Sequence, residues 1–361
     1  MPLQVTRADV LGFRVSAHQL IRATGTVADT RVLDLGVQDT GADAGRWALA
    51  VRGLTDVPAG ELALVWTLRG APHLYRRADL PGVAAATAPF SEADAAKRVF
   101  DAARPLRAAG IPVLTALDRI AAEMREVVAT PTVKGEMSRQ LTGRVDEPYL
   151  RSCRPCGAVH VYEQPFRLAA LRAGLELEPD TSPPVLRPLP GFAPAAEVPS
   201  HLDVVRGYLR LHGPATPQQV AGYLDAPVRE VRDRWPDDAV EVRVDGERRW
   251  VLAADVDRLA PAPVRTVRLL GPFDPYLQTR DRSLLVPDPA RAKALWPVLG
   301  RPGAVLDDGE VVGTWRPRRS GSRLTVLVQR WADVDVPAVE QQAALLATVR
   351  GAESVGIEVS G

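Results

Sequence analysis

Residues 200–259 restrict the fold most, because they spell three short helices and then a hairpin, an order few small folds accept. Leu202, Val205, Tyr208, Leu209 and Leu211 recur along one helix face, and Gly213-Pro214 ends that helix. Thr216 followed by Pro217 pairs a capping side chain with a first-turn proline. Val220, Ala221 and Leu224 give the second helix its apolar stripe. Ala226-Pro227 opens a third helix running to Trp235, with Val228 and Val231 inward and Arg229, Glu230, Arg232, Asp233 and Arg234 outward. Val240, Val242 and Val244 then alternate with polar residues, Asp245-Gly246 turns the chain, and Trp250-Val251-Leu252 returns. The sum is a winged helix, with the third helix as the candidate recognition helix.

The same grammar reads twice upstream. Residues 6–20, 29–37 and 43–51 are expected as helices, followed by a ribbon over 62–68 and 73–76. Residues 111–128 form a long amphipathic helix. Thr130-Pro131-Thr132 leads from it into a second helix over 133–141 with Lys134, Arg139 and Gln140 outward. Pro179, Pro183, Pro184, Pro188, Pro190, Pro194 and Pro199 make the stretch before the third module an extended linker. Beyond Pro261 the pattern turns to strands over 264–270, 303–306, 311–315 and 324–328. Asp307-Asp308-Gly309 and Ser320-Gly321-Ser322 supply the turns, and a helix over 339–349 closes the domain. The expected fold is α+β: winged helix 1 at 1–90, winged helix 2 and linker at 91–190, winged helix 3 at 198–260, and a β-barrel-like α+β domain at 261–361.

A chain of 361 residues can bury several cores, and 46% hydrophobic with 25% charged residues is a globular balance that excludes disordered and fibrous classes. The longest apolar runs, such as 62–68, fall far short of the roughly 20 residues a bilayer span needs, and no leader pattern opens the chain. A cytoplasmic protein without membrane contact is expected. Cys153 and Cys156 are the only cysteines and cannot form a disulfide framework. With His160 they give three possible zinc ligands but no second pair and no obvious fourth ligand, so no metal is expected. A net charge of +1 decides nothing about nucleic acid, since the distribution of charge matters more than its total.

Leu35-Gly36-Val37-Gln38-Asp39-Thr40 followed by Trp47-Ala48-Leu49-Ala50-Val51-Arg52 resembles the glutamine-bearing motif of the AlkZ/YcaQ family of winged-helix DNA glycosylases. Leu68-Arg69-Gly70-Ala71-Pro72-His73-Leu74 resembles that family's ribbon. Gly271-Pro272-Phe273-Asp274-Pro275, Arg280-Asp281-Arg282 and Gly309-Glu310-Val311-Val312-Gly313-Thr314-Trp315 resemble its C-terminal domain. The resemblance covers essentially the whole chain. It implies three tandem winged helices and a β domain around a DNA-sized concavity, and cleavage of the N-glycosidic bond at alkylated purines. The family motif is Gln-Φ-Gln or Gln-Φ-Asp with Φ apolar, whereas here Gln38 and Asp39 are adjacent.

The chemistry suits those residue types. Base–sugar hydrolysis passes through an oxocarbenium-like sugar, which a carboxylate stabilises or supplies with deprotonated water, while an amide positions that water. Gln38 and Asp39 are therefore the candidate catalytic pair, with no cofactor. Arg69, His73, Arg139, Arg229, Arg232, Arg248 and Arg280 are the candidate contacts to double-stranded DNA. Other readings stay open beside these. Asp39-Thr40 before Gly41 also fits cap and turn chemistry, His73 fits a ribbon histidine satisfied by backbone, and the arginines fit solvated helix faces. A monomer without an obligatory protein partner is expected. Three functions compete: a monofunctional glycosylase, a non-catalytic DNA binder, and a docking scaffold.

Overall fold

The computed structural model describes residues 2–155, 157–259 and 266–361. Its contacts group the chain into two compact units. The first comprises Met1–Pro58, Val205–Tyr223 and Trp235–Gly361, and the second Ala59–Val204 and Leu224–Arg234. Both mix helix and sheet.

In the first unit Thr6 starts the helix Arg7–Ala17. Its hydroxyl accepts from the Asp9 amide, and the Asp9 carboxylate accepts from the Thr6 amide in return. Val10, Leu11, Phe13 and Val15 bury the inward face. Strand Leu3–Val5 lies parallel to Ala239–Val244, which pairs antiparallel with Glu247–Leu252. Asp245 and Gly246 take φ of 47° and 86° at the hairpin tip, as a tight primed turn requires. Thr216 caps the head of Pro217–Leu224 as expected, and Gln219 returns the bond to the Thr216 amide, a reciprocal partner the sequence reading did not name.

A five-stranded sheet forms the rest of this unit. Its order is Val267–Leu270, Gly303–Asp307, Glu310–Ser320, Arg323–Arg330 and Ser354–Ser360, with the first four antiparallel and the last parallel. Helix Val336–Val349 supplies the long crossover that a parallel neighbour demands, and packs Val339, Ala343 and Leu346 into the core. The meander and helix match expectation. The closing strand was not expected, and among the described residues the sheet has two edges instead of closing like a barrel.

The second unit carries strands in the order Pro72–Arg76, Leu62–Trp66, Leu175–Leu177, Val185–Pro188 and Thr132–Val133. Helix Val113–Val127 buries Val113, Ala116, Leu117, Ile120 and Met124 in a core shared with Glu163–Arg172 and Lys134–Thr142. The linker reading fails at Val185–Pro188, which is a strand. Pro183 and Pro184 precede it and Pro188 ends it, so the prolines occupy its margins. The third helix of the 200–259 segment, Val228–Arg232, belongs to this unit and stops short of Trp235, because Pro236 biases the residue before it away from helix.

Candidate functional site

Residues 29–37 do not form the expected helix. Arg31–Asp34 is one 3-10 turn, Gly36 takes a φ of 88°, and Val37–Gln38 is a two-residue strand with Val37 fully buried. Leu33, Leu35 and Val37 all point inward, so the apolar spacing that reads as helical serves a tighter turn and an extended exit. The consequence is positional. Gln38 and Asp39 emerge half-buried where the chain leaves the core, and Thr40 is exposed.

Asp39 Oδ1 accepts from the Gly45 amide at 2.8 Å, at the head of helix Ala44–Ala50. Gln38 Nε2 donates to Thr40 Oγ1 at 3.0 Å. Both side chains are thus oriented by local bonds. The helix behind them is fixed by its aromatic: Trp47 Nε1 donates to the Leu269 carbonyl at 2.7 Å, and its ring meets Trp315 edge-on at 6.5 Å.

Two buried ion pairs brace the same unit. Arg52 and Asp274 are both 0% exposed and joined by two bonds of 2.7 and 2.8 Å, while Arg52 also donates to the carbonyls of His18 and Ala48. Arg14 forks onto Asp281 at 2.8 and 3.0 Å, and Arg249 joins the same carboxylate at 2.5 Å. Burial pushes the Asp281 carboxyl up, yet the Arg14 charge and its hydrogen bonds prevail and hold it at about 2. The acids of the Gly271–Pro275 and Arg280–Arg282 motifs are therefore interior anchors, a role sequence reading missed. Little marks it locally, since Arg52 and Arg14 lie more than two hundred residues from Asp274 and Asp281, and even Arg249 is 32 residues from Asp281.

The other sequence-named residues fall in both units. In the first, Arg248 is exposed on its hairpin, pairs with Glu241 at 2.7 Å and lies 4.7 Å over Trp250, while Arg280 is exposed and donates its amide to the Tyr208 hydroxyl oxygen. In the second, Arg139 is exposed beside Glu136, and Arg229 and Arg232 are exposed on one helix. Arg69 is half-buried at a φ of 59°, where the chain turns between the two ribbon strands. Cys156 lies outside the described residues, and no cluster of three metal-ligating side chains occurs among those described. Nor is any helix there long and apolar enough to cross a membrane.

His73 corrects an expectation. Instead of reaching toward a phosphate it is 1% exposed, with Nδ1 within 2.9 Å of the Ala71 carbonyl and 3.1 Å of the Thr67 hydroxyl. Position 73 alternates inward on its strand, so the ring packs into the unit. Burial, helped by the Arg69 charge, lowers its pKa from 6.5 to about 3. The unfolded chain then binds a proton that the folded chain refuses between those values, so this contribution is whole above pH 6.5 and drains as pH falls toward 3. The loss should reach about 1.4 kcal/mol per pH unit. Denaturant unfolding across this window should give a shallower fall for His73→Phe than for the native chain, and parallel curves would refute the assignment.

A model of the family described as DNA glycosylase AlkZ-like matches residues 36–349. An interstrand DNA cross-link repair glycosylase of Streptomyces sahachiroi is 31% identical over 174 residues, which are 43% of this chain and 44% of that protein, so the match spans under half the relative's length. The solved structure of Streptomyces sahachiroi DNA glycosylase AlkZ matches at a TM-score of 0.74 and 21% identity, covering 99% of this chain and 100% of that one, a likeness of fold.

Proposed function

Because the chain belongs to the AlkZ-like DNA glycosylase family, we propose that it hydrolyses the N-glycosidic bond of alkylated or bulky-adduct purines in duplex DNA, including adducts within crosslinks. The observation that carries this reading is the pairing of a half-buried carboxamide, Gln38, with a carboxylate, Asp39, at the head of an anchored helix.

As the base departs with the bonding pair, C1′ gains positive charge. The Asp39 carboxylate opposes that charge and takes the proton of the attacking water, while Gln38 orients the water. An alkylated, cationic purine leaves as a neutral base, so the site needs no strong acid. Asp39 keeps its aim because the Gly45 amide fixes one of its oxygens. Arg248 and Arg280 in the first unit, and Arg69, Arg139, Arg229 and Arg232 in the second, are the groups we assign to the DNA backbone. The winged-helix division at 1–90, 91–190 and 198–260 with a C-terminal domain at 261–361, a monomeric state and a cytoplasmic location complete the proposal.

A duplex bearing one N7-methylguanine tests it. Incubation followed by heating in alkali should break the strand at the lesion, through the abasic site left behind. A second reading, a damage binder without catalysis, is favoured by Asp39 serving as a helix-start acceptor. It predicts salt-sensitive binding with no strand break, and that result would displace the first reading.

A further inference from the structure

The second unit contains a cavity of about 420 Å³ that the glycosylase reading does not use. Trp66, Leu117 and Leu171 form its buried floor. Ala85 and Ala88, on and just after helix Leu80–Thr87, bring only methyl groups to the facing wall, and Leu168 lies beside the floor. We propose that this cavity is a binding site for a neutral, mainly apolar aromatic molecule of about two or three rings.

The size argues for an occupant. The space is a part-open cleft, and its volume falls within the roughly 300–1,000 Å³ of small-molecule sites. Most of the lining is apolar, and the Thr67 hydroxyl on it is engaged with His73 and Tyr75. The Thr87 hydroxyl, on one wall, is already committed to the Val83 carbonyl at 2.8 Å. Charge argues for neutrality. The lining's two ionised side chains, Asp118 and Arg172, are both partly exposed and neutralise each other at 2.5 Å, so the lining presents no net charge to hold an ion. Aromatic character follows from Trp66, whose ring is held at 5.9 Å from Phe166 and at 5.4 Å from the Arg167 guanidinium. Such a fixed ring offers an edge to a second one. The proposal rests on the second unit alone and stands or falls independently of Gln38 and Asp39.

N-phenylnaphthylamine, a neutral dye that brightens in apolar surroundings, is a suitable probe for the full-length chain. Saturable brightening is expected, with naphthalene displacing the dye and naphthalene sulfonate doing so about tenfold less well. Filling the cavity by Ala88→Trp or, separately, Leu168→Trp should weaken dye binding about tenfold or more, with the denaturant midpoint of at least one variant unchanged. Absence of saturable binding would overturn the proposal. So would native affinity in both folded variants, or displacement by the sulfonate equal to that by naphthalene.

Discussion

Asp274→Leu should destabilise the first unit by about 3–5 kcal/mol, the range for removing one partner of a buried ion pair. The arithmetic starts from Arg52, which is 0% exposed and would keep its charge with only the carbonyls of His18 and Ala48 to meet it. The Tyr276 amide, which donates to the same carboxylate at 2.9 Å, would lose its partner too. At about 2–4 °C per kcal/mol for a unit of this size, the melting temperature should fall by roughly 10 °C. The double variant Arg52→Met/Asp274→Leu separates the causes, since it removes the stranded cation along with its partner. Recovery of most of the lost stability is expected. If the double variant is no better than the single one, the damage lies in the Asp274 turn and not in the uncompensated charge.

Asp39→Asn should cost about 100-fold or more in the rate of base release while leaving the fold almost untouched, if Asp39 acts on charge. The asparagine oxygen can still accept from the Gly45 amide, so the head of helix Ala44–Ala50 keeps its partner. What is lost is the negative charge beside C1′. A single-turnover measurement on the N7-methylguanine duplex, with thermal unfolding in parallel, checks both halves. A variant that melts like the native chain and cleaves at the native rate removes Asp39 from the chemistry. One that melts far lower shows that the fold itself depends on the Asp39 charge.

Local chemistry made part of this structure legible. Thr216-Pro217 and Asp245-Gly246 each act within a few residues, and the helix start and the hairpin turn formed where those residues predict. Most of what escaped reading depends on distance. Leu3–Val5 is too short to announce itself as a strand until Val242–Val244 lies alongside it. Ser354–Ser360 does alternate Val355, Ile357 and Val359 with small and polar residues, a local strand signal that the reading of the helix over 339–349 as the close of the domain passed over. At the site, the residue types of Gln38 and Asp39 and the cap-and-turn alternative were both readable. The burial of His73 was not, because it depends on which face of the ribbon the second unit covers.

The first unit draws its parts from both ends of the chain, which orders events during synthesis. When helix Arg7–Ala17 leaves the ribosome, Asp281, the carboxylate that will neutralise Arg14, is still about two hundred residues or more from being made. Most of the second unit, Ala59–Val204, emerges as one continuous stretch and can close its contacts meanwhile. Nascent chains halted before the five-stranded sheet should therefore carry an unshielded apolar helix, a natural client for holding chaperones until that sheet is made.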